Sequence, residues 1–330
     1  MTQLSVVIIG RNEGERLVNC IHSVQAMHGA IETEIIYVDS NSTDGSAARA
    51  EALGAKVLIV HPERPAAAIG RNAGWLSATA PYILFLDGDT VLHPDFVTTA
   101  LQQLQENPKV AIVWGHRRER YPEKSWYQRT LDLDWLYPIG LSDFCGGDAL
   151  MRREVLQQVG GYDANLIAGE EPEMCQRVRS VGYQILHIDA PMTLHDLAIT
   201  CWSQYWRRAV RAGHAYAEVS QRLKNTALPL WQREARKNLI HAAALLFFSL
   251  GGIGLALSMQ SWLPLFVVIG GFLLVSVRTA WKARWKSKDW LTLLLYGLHS
   301  QFQHIPIAFG QLGYFYHRWL GKRRALIEYK

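Results

Sequence analysis

Two aspartates, Asp87 and Asp89, stand directly after a short apolar run and are separated by a glycine. The run, Tyr82 to Leu86, is continuously apolar, which is typical of a strand buried on both faces of a parallel sheet. Ligands of open α/β sheets bind at the carboxyl ends of such strands. Two oxygen ligands at that place suit Mg²⁺ or Mn²⁺ holding a diphosphate. An isolated Asp-Gly-Asp is more often an ordinary acidic turn, so the neighbouring segments must decide.

The segments before Asp87 alternate between strand and helix patterns. Apolar strand patterns cover residues 4–9, 34–38, 57–60 and 82–86. Helical spacing of apolar residues covers residues 15–24, 46–53 and 66–80. This alternation predicts βαβ units, a parallel sheet and right-handed crossovers. The first part of the chain is therefore predicted to be of the α/β class and to bind a nucleotide.

Beyond residue 93 the pattern is less regular. Helices are predicted over residues 95–105, 154–159, 170–180 and 199–222, and strands over 110–115 and 183–188. Residues 117–137 are basic, aromatic and irregular, and His195 follows the last predicted strand.

Charge divides the chain into two parts. Residues 1–203 carry 16 basic and 25 acidic side chains, whereas residues 204–330 carry 18 and 4. An acidic globular part followed by a basic, apolar part predicts attachment to an anionic membrane surface. Nucleic-acid binding is the competing interpretation, but the basic residues flank long uncharged stretches and do not form one solvated stripe. We therefore expect no nucleic-acid partner.

The positions of the cysteines and the first residues of the chain predict which cellular compartment the globular part faces. The four cysteines are scattered without a Cys-x-x-Cys pair, so we expect reduced thiols and neither a zinc site nor a disulfide framework. The initial apolar run has only the length of a strand and no basic segment precedes it, so no secretory signal is expected. The globular part is predicted to face the cytoplasm.

Two uncharged apolar stretches lie in the last third, at residues 239–258 and 262–277. The first is long enough, at about 1.5 Å per residue, to cross roughly 30 Å of hydrocarbon. Each alone would also fit a buried core helix. Because basic residues flank the pair and the link between them is uncharged, the positive-inside rule predicts a spanning hairpin with both flanks in the cytoplasm.

A third stretch, residues 290–316, begins apolar and then becomes polar. Its later part contains His299, Gln301, Gln303, His304 and Pro306. A simple spanning helix would have to bury these polar groups, and the basic residues 322–324 favour a cytoplasmic end. We expect an interfacial or re-entrant helix here, with a third full crossing as the alternative.

Several motifs occur in an order and at spacings that match a known family. They are residues 4–13, the turn 39–45, Arg71-Asn72, Asp87 to Asp89, Gly146-Gly147, residues 160–163, Glu170-Glu171 and residues 204–208. This set resembles the inverting family 2 nucleotide-sugar glycosyltransferases of the GT-A fold, over about residues 3–210. The resemblance implies a GT-A domain over residues 1–225, followed by an α-helical membrane domain over residues 226–330.

The resemblance implies how the nucleotide is bound. Glu13 and Asp39 would lie against the nucleoside, with Asp39 near the base. Arg71 would approach the base or the phosphates, and Asp87 would contact the ribose side. Asp89 would ligate the Mg²⁺ or Mn²⁺ that bridges the diphosphate.

Two further positions are less specific. His195 falls where such enzymes often place a third metal or phosphate contact, although a structural histidine fits this position equally well. Gly146 and Gly147 would form a close-packed floor on the acceptor side. Asp148 would touch the donor sugar, and its alternative is an N-cap of a helix over residues 149–153.

Glu171 matches the position of the family's catalytic base, which is usually the Asp of a Glu-Asp pair. A base must come within about 3 Å of the acceptor hydroxyl, and the longer Glu fits if the acceptor or backbone lies slightly further away. Glu170, on the donor-sugar and acceptor side, would raise the pKa of one of the two acids. Without the resemblance, two acids at a helix N-terminus are the simpler interpretation.

Gln204, Arg207 and Arg208 resemble the Gln-x-x-Arg-Trp motif of processive members, with Arg208 in place of the tryptophan. That tryptophan stacks on the acceptor sugar, so we expect a non-processive enzyme. The three residues would hold the departing diphosphate.

These implications predict a membrane-attached, metal-dependent, inverting glycosyltransferase at the cytoplasmic (inner) membrane. It would use a nucleotide sugar donor and a lipid-linked or saccharide acceptor in surface polysaccharide or glycolipid assembly. The apolar third also offers a surface for homo-oligomerisation, which no motif supports. Two alternatives are a polyprenyl-phosphate sugar synthase and a non-enzymatic membrane scaffold that keeps the nucleotide fold.

Overall fold

The computed structural model describes residues 3–322, which form two compact units. The sheet unit comprises the residues up to Arg120, Tyr137–Leu197 and Leu223–Leu230. The helical unit comprises Tyr121–Leu136, Ala198–Arg222 and the residues from Trp231 onward. The domain boundary expected at residue 225 stays a prediction. Arg323 and Arg324, expected to mark a cytoplasmic end, lie outside the described residues.

Nine strands form one sheet in the described part of the chain. They are β1 Leu4–Gly10, β2 Thr33–Asp39, β3 Lys56–Ile59, β4 Tyr82–Asp87, β5 Thr90–Leu92, β6 Val110–Glu119, β7 Gly140–Ser142, β8 Ala149–Arg152 and β9 Gln184–His195. The strand order is β3-β2-β1-β4-β8-β6-β9-β5, and β7 pairs with β9. Four ladders are parallel, namely β1–β2, β1–β4, β2–β3 and β6–β9, and they include the three longest ladders of the sheet. The predicted α/β class with a mixed, mostly parallel sheet is confirmed.

Helices connect the strands and make up most of the helical unit. Those of the sheet unit are α1 Glu15–Gln25, α2 Ser46–Ala52, α3 Ala67–Ser77, α4 Phe96–Glu106, α6 Arg153–Val159 and α7 Glu170–Ser180. The others are α5 Trp126–Leu131, a 3-10 helix Asp132–Trp135, α8 Trp202–Leu223, α9 Gln232–Ser258, α10 Leu263–Lys282, α11 Trp290–Phe302 and α12 His304–Trp319.

The central strands are buried on both faces, as their continuous apolar runs predict. Leu4, Val7 and Ile8 of β1 are completely buried, and burying such a side chain stabilises the fold by roughly 1.5–3 kcal/mol. The parallel register pairs Gly10 with Asp39 and Ile9 with Asp87. The carboxyl ends of β1, β2 and β4 therefore lie side by side at one edge of the sheet.

Two strands are longer than the sequence predicts. β6 continues past residue 115 to Glu119, and β9 continues past residue 188 to His195. Their shared ladder has register shifts on either side of His116, and such irregularities break the strict alternation that marks a strand in sequence. His195 is therefore the last residue of β9 and does not lie beyond it.

The segment after Asp148 is a strand. Residues 149–152 form β8, which pairs antiparallel with β4 and β6. Ala149, Leu150 and Met151 are all buried, so this stretch is apolar on both faces because it lies inside the sheet. The alternative that Asp148 caps a helix over residues 149–153 is wrong.

In the helical unit, α9 and α10 contain the two predicted apolar stretches. Both helices are long and apolar enough to cross a membrane, with a mean hydropathy of 2.0 over their most apolar windows. Only 11% of each of those windows is buried within the protein, which is unusual for a core helix of a soluble domain.

The stretch at residues 290–316 forms two helices, α11 and α12, where one was expected. The break falls at Gln303, three residues before Pro306. Proline has no N–H, and its ring clashes with the carbonyl four residues earlier, here that of Phe302. With 13 and 16 residues, each helix is shorter than the roughly 20 residues of a simple span. An interfacial or re-entrant position stays a prediction.

Candidate active site

Asp87, Asp89 and His195 come together at the carboxyl end of β4. The chain turns after Asp87, where the Gly88 N–H donates to the Ile9 carbonyl at 2.8 Å. β5 then pairs with the end of β9, with Thr90 opposite His195. As a result, Nε2 of His195 lies 3.2 Å from Oδ1 of Asp89. One ligand atom from each of the three side chains lies within 4.8 Å of the others.

His195 is in the protonation state that a metal ligand requires. Burial and then the positive charge of Arg117 lower the pKa of His195 to about 3, against the opposing effect of nearby Asp87 and Asp148. The imidazole is therefore neutral at physiological pH and keeps a lone pair for a cation. The structure thus brings the predicted third ligand to the two aspartates.

Arg71 of α3 occupies the centre of the acidic cluster. Its side chain is only 2% exposed and lies 2.9 Å from Asp87, 2.8 Å from Glu170 and 2.9 Å from Glu171. The guanidinium thus contacts three carboxylates, which neutralises part of their mutual repulsion. The expected approach of Arg71 to a base or phosphate stays a prediction.

Glu170 and Glu171 begin α7, directly after Gly169 in the left-handed conformation. Burial raises the pKa of Glu171 to about 7, and the charge of Glu170 adds to this effect. The ion pair with Arg71 acts in the opposite direction and is outweighed. A carboxylate with such a pKa can accept a proton near neutral pH, as a general base must.

Glu13 and Asp39 follow the neighbouring strands β1 and β2. Asp39 is buried and accepts hydrogen bonds from the Tyr37 hydroxyl at 2.8 Å and from the Ser42 N–H at 2.7 Å. Glu13 pairs with Arg16 at 2.8 Å, and its Cγ lies next to Gly88. Both predicted nucleoside contacts therefore lie at the same edge as Asp87.

Asp148 is fully buried beneath this edge. Its Oδ1 accepts the backbone N–H of Asp87 at 3.0 Å, and its Oδ2 accepts the Thr193 hydroxyl at 2.7 Å. The resemblance predicts a donor-sugar contact for Asp148, and the structure places this side chain against the protein's own groups. A direct sugar contact stays a prediction.

The two glycines before Asp148 differ in their surroundings. A Cβ on Gly147 would lie 2.5 Å from Nη2 of Arg71, 3.0 Å from Oδ2 of Asp87 and 3.3 Å from Oε1 of Glu171. A Cβ on Gly146 would meet nothing within 4 Å. The close packing expected at both glycines is therefore found only at Gly147.

Arg117 was missed by the sequence analysis. Its Nη2 lies 3.3 Å from Oδ2 of Asp87, and its Nε lies 3.8 Å from Oδ2 of Asp148. The residue lies on the extended part of β6, in the stretch whose basic, irregular sequence predicts no strand. Recognising that β6 continues beyond residue 115 would have placed Arg117 at this edge.

Gln204, Arg207 and Arg208 lie on α8, which belongs to the helical unit. Oε1 of Gln204 accepts the N–H of Thr200 at 2.9 Å and that of Cys201 at 3.3 Å, so this side chain caps the start of the helix. Arg207 is exposed and Arg208 is half-buried. Their role toward a diphosphate stays a prediction.

The charge of the cluster fits a divalent cation. The cluster combines two arginines, Arg71 and Arg117, with five acids, which leaves an excess of negative charge when the acids are ionised. The acids are Asp87, Asp89, Asp148, Glu170 and Glu171. Buried charges need partners of opposite sign. Two carboxylates and a neutral imidazole are ligands that Mn²⁺ and Mg²⁺ sites use.

Part of the chain matches the model of a known protein family. Residues 5–160 match the model of glycosyl transferase family 2. This chain carries a glycosyltransferase family 2 domain. The predicted resemblance is confirmed, and the matched range contains β1 to β8, apart from Leu4, and most of the acidic cluster.

Two curated relatives extend the match beyond this domain. The chain is 24% identical over 294 residues to the pre-mycofactocin glycosyltransferase of Mycobacterium tuberculosis, covering 84% of this chain and 58% of the relative. It is 21% identical over 242 residues to the succinoglycan biosynthesis protein ExoA of Rhizobium meliloti, covering 69% of this chain and 72% of the relative. The chain thus spans less than two thirds of the first relative's length.

A solved structure shares the fold. The mannosyltransferase PcManGT from Pyrobaculum calidifontis, in complex with GDP-Man and Mn²⁺, superposes with a TM-score of 0.68 at 17% identity. The superposition covers 94% of this chain and 87% of that protein. The expected GT-A architecture of the family 2 domain is therefore confirmed, together with a C-terminal helical region.

Proposed function

We propose that the chain is a membrane-attached, metal-dependent, inverting glycosyltransferase. It transfers one sugar at a time from a nucleoside diphosphate donor to a lipid-linked or saccharide acceptor. The observation that carries this proposal is the convergence of Asp87, Asp89 and His195 with Arg71 and Glu171 at one edge of the sheet. A cation site and a base beside one another are the two parts that an inverting transfer needs.

The residues have distinct roles in the proposed reaction. Glu171 accepts the proton of the acceptor hydroxyl, whose oxygen attacks the anomeric carbon as the bond to the diphosphate breaks. Arg71 orients the Glu171 carboxylate through their 2.9 Å contact. Asp89 and His195 would hold the divalent cation, which supplies positive charge to the departing diphosphate when bound.

The donor is a nucleotide sugar, with Glu13, Asp39 and Asp87 on the nucleoside side. The position of Asp39 and Asp87 at the same edge of the sheet supports this assignment. The similarity of fold to a protein that binds GDP-Man with Mn²⁺ supports both the donor class and the metal. Mn²⁺ or Mg²⁺ is the proposed ion.

We propose that the acceptor lies at the membrane. α9 and α10 form the proposed spanning hairpin, which would hold the family 2 domain at the cytoplasmic face of the inner membrane. Similarity to a protein named for succinoglycan biosynthesis supports surface polysaccharide or glycolipid assembly. Arg208 in place of a stacking tryptophan supports transfer of a single sugar.

A donor panel tests the proposal. The purified full chain is incubated with UDP- and GDP-linked hexoses, Mn²⁺ and a membrane lipid extract, and the release of nucleoside diphosphate is measured. We expect release with at least one donor, and its loss on chelation with EDTA. No metal-dependent release with any donor would contradict the proposal.

Two variants separate this function from its nearest alternative. General base catalysis contributes about 10²–10⁴-fold, so Glu171→Gln should lower turnover by that factor, whereas Glu154→Gln, an exposed acid at the start of α6, should not. A polyprenyl phosphate acceptor is already an anion and needs no base. Full activity of Glu171→Gln on polyprenyl phosphate would therefore favour a polyprenyl-phosphate sugar synthase.

A further inference from the structure

Arg117 is placed at the active-site edge by the irregular part of β6. The ladder with β9 sets Arg117 opposite Thr193, and two residues later Glu119 opposite His195. Thr193 in turn donates to Asp148. The register of two strands thus brings Arg117 to the group of residues beneath Asp87.

The Asp87 carboxylate is held from two sides by arginines. Arg71 contacts its Oδ1 at 2.9 Å, and Arg117 contacts its Oδ2 at 3.3 Å. The backbone N–H of Asp87 is fixed separately by Asp148. Asp89, two residues later, instead has its Oδ1 beside His195. The two arginines thus contact Asp87, and the imidazole lies beside Asp89.

Arg117 also lies close to a second carboxylate, that of Asp148, which has no access to solvent. The Asp148 side chain is 0% exposed and lies 3.8 Å from Nε of Arg117, whose own side chain is 14% exposed. Removing one partner of a buried charge pair leaves an uncompensated charge. Loss of Arg117 would therefore disturb Asp148, and through the Asp148–Asp87 hydrogen bond it would disturb Asp87.

We propose that Arg117 is a positioning residue for Asp87. Together with Arg71, Arg117 holds the Asp87 carboxylate on the side where the nucleotide would bind. Asp89 and His195 would then bind the cation. This inference rests on the proposed nucleotide-binding function. It assigns Arg117 no contact with the donor, because its effect passes through Asp87 and Asp148.

Calorimetry on the full chain tests this assignment with two titrations, Mn²⁺ alone and UDP or GDP in the presence of Mn²⁺. In Arg117→Met, removal of a positive charge near the cation site leaves Mn²⁺ binding as tight or tighter, whereas nucleoside diphosphate binding weakens about tenfold, a typical coupling between contacting groups. Arg117→Lys keeps the positive charge but cannot contact Asp87 and Asp148 at the same time, so it should recover part of the lost nucleoside diphosphate affinity. Arg118→Met, an exposed neighbour of equal charge, should change neither titration.

A double-variant cycle distinguishes positioning from direct contact. If Arg117 acts through Asp87, the Asp87→Asn/Arg117→Met protein binds the nucleoside diphosphate no more weakly than Asp87→Asn alone. Additive losses would overturn the inference, because they indicate a separate contact with the nucleotide. Unchanged nucleoside diphosphate binding in Arg117→Met would also overturn the inference. Equal losses of Mn²⁺ affinity and nucleoside diphosphate affinity, together with a lowered melting temperature, would overturn it as well. If the unmodified chain binds neither Mn²⁺ nor a nucleoside diphosphate, the proposed function fails and this inference fails with it.

Discussion

Nη1 of Arg71 lies 2.9 Å from Oε1 of Glu171, so the proposed catalytic base is ion-paired with a buried guanidinium. This contact alone would lower the pKa of Glu171. Burial, followed by the charge of Glu170, outweighs it and raises that pKa to about 7. The arginine therefore fixes the direction of the carboxylate, while burial sets its affinity for a proton. Two pH effects follow, one on the rate and one on stability.

The rate of sugar transfer should rise with pH through about 7. Below this value Glu171 is protonated and cannot accept the acceptor proton, so kcat/KM should fall about tenfold for each unit of pH well below it. The measurement is kcat/KM between about pH 5 and 9 with saturating Mn²⁺. Glu171→Gln should lack this rise in its residual activity. A flat profile in the unmodified protein would exclude Glu171 as the base.

The contribution of Glu171 to the stability of the fold should fall as pH rises, whereas the rate rises. The pKa of Glu171 is raised from 4.5 to about 7 on folding, so between these values the folded state holds a proton that the unfolded state has released. The contribution of Glu171 to stability is therefore lost as pH rises through that window. Glu171→Gln should gain melting temperature relative to the unmodified protein between about pH 5 and 8. Both proteins are measured in EDTA, and a constant difference in melting temperature would contradict the assignment.

Much of the site was predictable because the carboxyl ends of parallel strands meet at one edge. Asp39, Asp87 and Asp89 follow apolar runs directly, and the register of β1, β2 and β4 brings them together. Arg117 was not predictable in this way. Its strand contains register shifts near His116, and the polar residues that follow do not alternate as a regular strand does.

The surroundings of Asp148 show a second limit of the sequence. A polar residue before Ala149 fits a helix cap as well as the start of a strand, and the local residues do not distinguish the two. The pairing of β8 with β4 and β6 is a contact between distant segments, which local propensity does not encode. The same holds for Arg71, whose three carboxylate partners come from two other elements.

The cation site should depend on Asp89. Asp89→Ala removes one of the two side chains proposed to hold the cation. Loss of a residue that only supports a metal ligand costs about 10- to 100-fold in affinity, so we expect Mn²⁺ binding, measured by calorimetry on the full chain, to weaken by at least that factor. Metal-dependent donor hydrolysis or transfer should be lost in parallel. Asp95→Ala removes an exposed aspartate that pairs with His28, so it should leave both measurements unchanged. Equal Mn²⁺ affinity in Asp89→Ala and the unmodified protein would place the cation elsewhere.

The two adjacent glycines offer a matched pair for the packing of the site. In Gly147→Ala, the new Cβ would lie 2.5 Å from Arg71 and 3.0 Å from Asp87, so these side chains must shift and their ion pair weakens. Overpacking of this kind costs about 1–3 kcal/mol, and nucleoside diphosphate binding should weaken with it. Gly146→Ala adds the same methyl group where nothing lies within 4 Å, so its melting temperature and nucleotide affinity should match those of the unmodified protein. Thermal melting and calorimetry of both variants make the comparison, and equal behaviour of the two would show that Arg71 and Asp87 are not held in the close contact described above.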